Sequence, residues 1–234
     1  MAEIIPSILE KNFSEIKNKL ASLHERVKCV HLDFCDGIFV PNQTWPFASG
    51  GFEDADFKKI ISEEEGLPSW QEFDFEFDLM VADAVENFDV YTKLGPKRII
   101  FHLDAQKNLE AFEQFLGGLD MYTRENMELG IAFRPSDDLS VVSQFSYKVD
   151  FLHCMGSDKV GFQGEGVVLT EKAIENIQFL KKTLPGVVIS VDIGVNLHNA
   201  QALLDVGADR LSIGSAIWKS PDPLGALQTF QNLV

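Results

Sequence analysis

Short apolar runs alternate along the chain with segments whose apolar residues recur at three- and four-residue spacing. Runs of the first kind are typical of buried strands, and segments of the second kind are typical of amphipathic helices. Strands that alternate with helices indicate βαβ units and a parallel sheet. We predict strands at residues 3–5, 29–33, 73–80, 98–103, 128–133, 151–154, 187–192 and 210–213, and helices at residues 13–23, 84–94, 109–116, 173–184, 197–206 and 224–234.

Eight such strands favour a closed (β/α)8 barrel, the TIM-barrel fold, over an open doubly wound sheet. Glycine and proline lie at the ends of the units and do not cluster into a linker, so we expect one domain over residues 1–234. Residues 42–70 are long for one strand–helix connection and carry Phe47, Phe52 and Phe57. This extended loop would either cover the barrel mouth or form an oligomer contact, and the sequence favours neither.

Charge limits the partners of the chain. Its 234 residues include 20 Lys and Arg against 36 Asp and Glu, a net charge of −16. Binding to nucleic acid or to an anionic membrane surface needs an excess of basic residues, so we expect neither partner. A small phosphate can still bind locally, through backbone N–H groups. The absence of a long apolar run, of a signal-peptide pattern and of paired cysteines favours a cytoplasmic protein.

Candidate chemistry lies where the predicted strands end, which is the face on which (β/α)8 barrels place their active sites. His31 and Asp33 are two residues apart, so both side chains point to one face of an extended strand. Asp78 lies near the end of a further strand, and Asp192 ends another. An imidazole and a carboxylate that converge suit a metal site or acid–base chemistry. Taken alone, His31 and Asp33 are more typical of a bonded core histidine and a turn cap.

Phosphate would bind after the last two strands, where (β/α)8 barrels frequently have such a site. Gly194, Gly214 and Ser215 follow those strands and offer backbone N–H groups and a hydroxyl. The glycine-rich stretch 161–166 would either close over the same phosphate or form a flexible surface loop. His102 and His153 lie inside predicted strands, and we expect them to be buried supporting residues.

Several motifs together resemble those of the ribulose-phosphate 3-epimerase family. The run HLDFCDGIFVPN at residues 31–42 is similar to the family's HxDxMDGxFVPN signature, and PSIL at 6–9 is similar to its opening motif. DLMV at 78–81, VDIG at 191–194 and GAD at 207–209 with GSAI at 214–217 resemble the family's HLMV, VDGG and GAD…GSAIF. The resemblance covers nearly the whole chain in order.

The resemblance implies a metal-dependent isomerase that interconverts D-ribulose 5-phosphate and D-xylulose 5-phosphate by proton transfer at C3. It implies that Asp33 and Asp192 are the acid–base pair, that His31, Asp33, Asp78 and Asp192 bind one divalent metal ion, and that Ser7 and Met80 contact the substrate, with Gly194, Gly214 and Ser215 at its phosphate. It also implies a homo-oligomer. An epimerase of another sugar phosphate, such as a hexulose 6-phosphate, and a catalytically silent phosphate-binding homologue are the alternatives.

The chain departs from the family pattern at the predicted metal and phosphate sites. Asp78 stands where the family has a histidine, which would leave one imidazole and three carboxylates around the metal. Such a set shifts preference from Zn²⁺ toward Mn²⁺, Fe²⁺ or Mg²⁺. Ile193 replaces the first glycine of VDGG, which we expect to remove conformational freedom beside the phosphate. Because the resemblance and this departure point to different metals, the predicted ion is Mn²⁺, Fe²⁺ or Zn²⁺, and the sequence does not choose among them.

Overall fold

The protein forms a closed barrel of eight parallel strands, which follow one another in chain order around the barrel. A computed structural model describes residues 2–162 and 166–234. The eight strands close on themselves because β8 pairs with β1. This architecture confirms the predicted (β/α)8 barrel. The strands are β1 Glu3–Ile8, β2 Cys29–Cys35, β3 Asp74–Met80, β4 Arg98–His102, β5 Glu128–Phe133, β6 Phe151–Met155, β7 Val188–Asp192 and β8 Arg210–Ile213.

The helices surround the barrel, and two of them begin later than predicted. Within predicted helices 84–94 and 197–206, the helices begin only at Phe88 and Ala200, directly after Asn87 and Asn199. Side-chain amides of these two residues bond to Asp83 and to the backbone of Gly194, and such local bonds compete with helix formation. The helices are α1 Phe13–Leu23, α2 Ala55–Ile61, α3 Phe88–Thr92, α4 Leu109–Gly118, α5 Met121–Asn126, α6 Leu139–Phe145, α7 Glu171–Thr183, α8 Ala200–Asp205, α9 Ser215–Trp218 and α10 Pro223–Gln231, with 3₁₀ turns at Phe47–Ser49, Gly51–Glu53 and Leu103–Ala105.

The strands are buried on both faces, and the two faces carry different residues. In β2, Val30, Leu32 and Phe34 belong to the large apolar cluster that also contains the buried faces of the helices. Alternation therefore turns His31 and Asp33 toward the barrel interior. Both side chains are almost completely buried. Within the described ranges, no helix is both long enough and apolar enough to be a membrane span.

The connection between β2 and β3, which contains residues 42–70, packs onto the barrel through its aromatic side chains. The Trp45 ring stacks on Phe13 of α1 with centroids 4.5 Å apart, and Phe52 stacks on Phe57 of α2 at 5.3 Å. Trp45 and Phe57 are buried. Asp54 begins α2 by accepting a hydrogen bond from the backbone N–H of Phe57. These rings thus serve packing within the chain, a role that neither prediction for the loop included.

Candidate active site

Strand register brings polar side chains from β2 and β3 to common levels inside the barrel. His31 pairs with Glu76, and Asp33 pairs with Asp78. Residues paired in a parallel ladder point to the same side of the sheet. All four side chains are buried, which requires that they satisfy one another or bind a ligand. The barrel interior near its mouth is therefore a polar site rather than a continuation of the apolar core.

Four side chains from four strands converge in this interior, and we call them the metal-ligand cluster: His31, Asp78, His153 and Asp192. Each offers one ligand atom, and the four atoms all lie within 4.8 Å of one another. The predicted metal donors His31, Asp78 and Asp192 are thus brought together, and His153 joins them. Asp33, the remaining predicted donor, lies beside the cluster and accepts hydrogen bonds from Ser7 Oγ at 2.6 Å and His31 Nε2 at 3.2 Å.

The carboxylates around His31 favour a positive charge at its Nε2 atom, carried either by a proton or by a bound cation. Nδ1 lies 2.7 Å from Glu76 Oε1, and Nε2 faces Asp33 Oδ1 at 3.2 Å and Asp78 Oδ2 at 3.9 Å. Burial lowers the pKa of His31, but the Asp33 and Glu76 carboxylates outweigh burial and raise it well above the ordinary value. With Nδ1–H donated to Glu76, the space between Nε2 and the two aspartates accommodates either a proton or a metal cation.

Other atoms of the cluster lack partners among the described residues. Asp78 Oδ1 accepts a hydrogen bond from His102 Nε2 at 2.7 Å, while its Oδ2 has none. Both ring nitrogens of His153 are likewise unpartnered. Burial opposes ionisation of Asp78, but His102 lowers the pKa of this carboxyl to about 2. Burial lowers the pKa of His153 to about 4, so this imidazole is neutral. Metal ions bind carboxylates in their ionised form and imidazoles in their neutral form. The side chains of the cluster therefore fit a divalent cation.

A cavity lies over the metal-ligand cluster at the carboxyl ends of the strands. Its walls include both predicted catalytic residues, Asp33 and Asp192. Burial and the nearby charge of Asp33 raise the pKa of Asp192 to about 7. A carboxyl group with this pKa is suited to proton transfer near neutral pH. All five predicted substrate-contacting residues also line the cavity: Ser7, Met80, Gly194, Gly214 and Ser215.

The segment after β7 holds Ile193 in an unusual backbone conformation. This residue has φ of 68°, so it keeps a left-handed backbone although it is not glycine. Branched residues are strained in that region. The side chain is 8% exposed and packs with an apolar cluster at the barrel mouth that includes Cys35 and Met80. Ile193 thus combines a strained backbone conformation with a buried side chain.

The glycine-rich stretch after β6 contributes to the same cavity at its ends. Gly161, Phe162 and Val167 line the cavity wall. The Gly161 backbone has φ of 80°, and a Cβ there would lie 2.8 Å from Val40. The glycine-rich stretch 161–166 therefore begins at the cavity, and residues 163–165 lie outside the described ranges.

Glu76, His102 and His153 are functional candidates that the sequence analysis did not place in the site. Glu76 shares the Asp78 face of β3, and this alternation was the available signal. His102 and His153 each lie within a predicted strand, where we expected buried supporting residues. The alternation of apolar and polar residues does not indicate which of the two faces the cluster. In the structure, His102 positions Asp78, whereas His153 reaches the cluster itself.

A parallel barrel with titratable side chains and a polar cavity at the carboxyl ends of its strands is typical of barrel enzymes. Comparison with known proteins gives the family. The model of the ribulose-phosphate 3 epimerase family matches residues 3–218. The chain therefore belongs to the ribulose-phosphate 3-epimerase family, and the prediction of an isomerase is confirmed.

Curated relatives and a solved structure are similar over nearly the whole chain. The ribulose-phosphate 3-epimerase of Chlamydia muridarum is 27% identical over 223 residues, which cover 92% of this chain and 88% of that protein. That of Schizosaccharomyces pombe is 24% identical and covers 100% of this chain and 94% of its own. The structure of 3-hexulose-6-phosphate synthase from Salmonella typhimurium has a TM-score of 0.68 at 15% identity, covering 99% and 97% of the two chains. The last similarity concerns the fold.

Proposed function

We propose that the chain is a metal-dependent epimerase that interconverts D-ribulose 5-phosphate and D-xylulose 5-phosphate through proton transfer at C3. The observation that carries this proposal is the pair Asp33 and Asp192 in one cavity, beside the metal-ligand cluster. Inversion at a carbon next to a ketone needs one group that removes the proton and another that returns a proton to the opposite face. The names of the curated relatives support the choice of sugar.

Asp33 and Asp192 are suited to exchange the roles of base and acid. In one direction, a carboxylate takes the C3 proton and leaves an enediolate, and the other carboxyl group gives its proton to the opposite face of C3. The reverse reaction begins from the swapped protonation states. The raised pKa of Asp192, near 7, supports this exchange because the proton is then gained and lost at similar cost. Ser7 Oγ, which donates to Asp33 Oδ2, would keep that carboxylate oriented.

A divalent cation bound at the metal-ligand cluster would supply positive charge beside the substrate oxygens on which negative charge develops. The chain's own residues prepare this position. Glu76 and His102 orient His31 and Asp78 through hydrogen bonds of 2.7 Å each. Burial excludes bulk water from these contacts, and electrostatic interactions are stronger there than in water. The phosphate would lie at Gly194, Gly214 and Ser215, which line the same cavity.

The proposal is tested by solvent exchange. D-ribulose 5-phosphate is incubated in D2O with the protein and Zn²⁺, Mn²⁺ or Fe²⁺, the metal is removed with a chelator, and the sugar is analysed by ¹H NMR and mass spectrometry. We expect loss of the C3 proton signal, gain of one deuterium and formation of xylulose 5-phosphate. A panel that includes hexulose 6-phosphates identifies an epimerase of another sugar phosphate. No exchange in any of these sugars with any metal would refute the proposal and favour a silent binding homologue.

Two variants test the roles of the carboxyl groups. Asp33→Asn and Asp192→Asn should each reduce epimerisation by a factor of roughly 10³ or more, since each leaves one face of C3 without its proton donor or acceptor. Asp137→Asn is the matched control, because Asp137 follows β5 at the same barrel end and bonds Arg134 there. Activity within tenfold of wild type in either cavity variant, with a folded protein by circular dichroism, would refute the two-aspartate mechanism.

A further inference from the structure

His153 differs from the other buried histidines of the barrel in its contacts. His31 and His102 each bond a carboxylate at 2.7 Å. His153 is fully buried on β6, and neither of its ring nitrogens has a hydrogen-bond partner among the described residues. A neutral imidazole always carries one N–H, and an unsatisfied buried polar group costs about 1–3 kcal/mol. A histidine that served packing alone would incur this cost without compensation.

The His153 ring lies close to the other donor atoms of the metal-ligand cluster. One of its ring nitrogens lies within 4.8 Å of the ligand atoms of His31, Asp78 and Asp192. Its ring is nearly parallel to that of His31, with an interplanar angle of 18° and centroids 5.6 Å apart. Donor atoms that share one cation at about 2.1 Å lie roughly 3–4 Å from one another. Small side-chain rotations would therefore bring the four donors to a common cation.

Asp33 is placed differently from these four residues. One of its oxygens accepts a hydrogen bond from Ser7 Oγ, and the other contacts His31 Nε2. Its level in the barrel is that of Asp78, its register partner on β3. Asp33 Oδ2 is thus engaged by a hydroxyl, and Asp33 Oδ1 faces His31 Nε2, the nitrogen that would also face the cation. Asp78 Oδ2 and the His153 nitrogens have no partner among the described residues. A cation bound at the cluster would give Asp78 Oδ2 and one nitrogen of His153 the partner that the described residues do not supply.

We propose that His153 is a metal ligand, so that two imidazoles and two carboxylates, from His31, His153, Asp78 and Asp192, hold the divalent cation. The assignment rests on the metal centre of the proposed function. It replaces the single-imidazole set expected from the sequence. Two nitrogen and two oxygen donors suit Zn²⁺, Fe²⁺ and Co²⁺ better than Mg²⁺. Asp33 is then available for proton transfer without being required as a metal donor.

The direct test counts imidazoles around the metal in the unaltered protein. X-ray absorption spectra are recorded on protein loaded with one equivalent of Zn²⁺ or Co²⁺, without sugar. Multiple scattering from the imidazole ring reports the number of coordinated histidines, and we expect two. A spectrum that fits one imidazole, or failure of the protein to bind either metal, would overturn the assignment without requiring any variant to fold.

Two variants separate ligation by His153 from a structural role. In His153→Gln, we expect one imidazole in the absorption spectrum and a decrease in Zn²⁺ affinity larger than the roughly 10- to 100-fold typical of an outer-shell partner. His102→Gln is the matched control: it removes another buried imidazole that bonds Asp78, so affinity should fall within that range while the count stays at two. Two imidazoles in folded His153→Gln would overturn the assignment.

This experiment also distinguishes failure of the inference from failure of the proposed function. The imidazole count and the metal affinity are measured without substrate, so they do not depend on epimerisation. Two imidazoles together with absence of C3 exchange would refute the proposed function and leave His153 as a ligand. Exchange together with a single imidazole would refute the assignment of His153 and leave the epimerase.

Discussion

Glu76 provides a sensitive test of the proposed metal centre because it acts on the cluster through its hydrogen bond to His31. Its Oε1 lies 2.7 Å from His31 Nδ1, and its side chain is completely buried. Burial opposes its ionisation, but the bond to His31 lowers the pKa of Glu76 to about 2, so it is a carboxylate. Glu76→Gln keeps the shape and an acceptor oxygen while removing the charge. The imidazole of His31 then becomes a poorer donor to a cation.

The expected loss follows from this contact. A hydrogen bond to a charged group contributes about 1.5–3 kcal/mol, against about 0.5–1.5 kcal/mol for a neutral one. Removing the charge of Glu76 therefore weakens its hydrogen bond to His31 by about 1–1.5 kcal/mol. The attraction between the Glu76 carboxylate and the cation is lost in addition. Outer-shell substitutions of this kind lower metal affinity roughly 10- to 100-fold, equivalent to about 1.4–2.7 kcal/mol. Arg98, 3.5 Å from Glu76 Oε2, retains Glu3 at 3.0 Å and Glu128 at 3.4 Å.

The assay is a competition titration of Zn²⁺ between the protein and a chromophoric chelator, at pH 7 and fixed ionic strength. Glu128→Gln is the matched control, because Glu128 bonds Arg98 and Arg210 but belongs to the outer part of the same charge network. We expect its Zn²⁺ affinity to stay within about twofold of wild type. Equal affinities for Glu76→Gln and wild type, or equal losses in both variants, would refute the role of the Glu76–His31 bond.

Three further predictions concern stability, measured by urea unfolding. Ile193→Gly should be about 1 kcal/mol more stable than Ile193→Ala, because only glycine relieves the strain at φ of 68°; the reverse order would contradict this strain. Asp54→Ala should lose about 2 kcal/mol at pH 7, since Asp54 caps α2 and accepts from Trp45 Nε1 at 3.0 Å. Burial raises the pKa of Asp54, but its hydrogen bonds outweigh burial and lower the pKa below the ordinary value. The stabilisation by Asp54 is therefore present above about pH 4 and is lost as the pH falls through the folded-state pKa. An equal loss of stability in Asp54→Ala at pH 3 and pH 7 would contradict this. Gly194→Ala should lose more than Gly186→Ala, because both have positive φ but a Cβ meets backbone at 2.4 Å only at Gly194, and equal losses would contradict the close approach.

The amino-acid sequence by itself determined the barrel and one edge of the site. Eight apolar runs separated by helical segments are enough for a closed parallel barrel, because each signal is local. The two-residue spacing of His31 and Asp33, and of Glu76 and Asp78, placed each pair on one strand face for the same reason. The sequence motifs predicted the family, and the match of the family model to residues 3–218 confirmed it. The positions of Gly194, Gly214 and Ser215 after the last two strands indicate a phosphate site, whereas Ser7 and Met80 follow only from the resemblance.

Only the tertiary structure decided which of the buried polar side chains meet. His153 and His102 look alike in sequence, each an imidazole within an apolar strand, yet the stagger of the strands brings His153 to the cluster and leaves His102 behind Asp78. Local patterns specify the direction of a side chain, whereas barrel closure specifies its height and its partner across the barrel. The same closure sets burial, and with it the pKa of Asp192 near 7. Convergence of donors from four strands is a property of the closed barrel, and no single strand contains it.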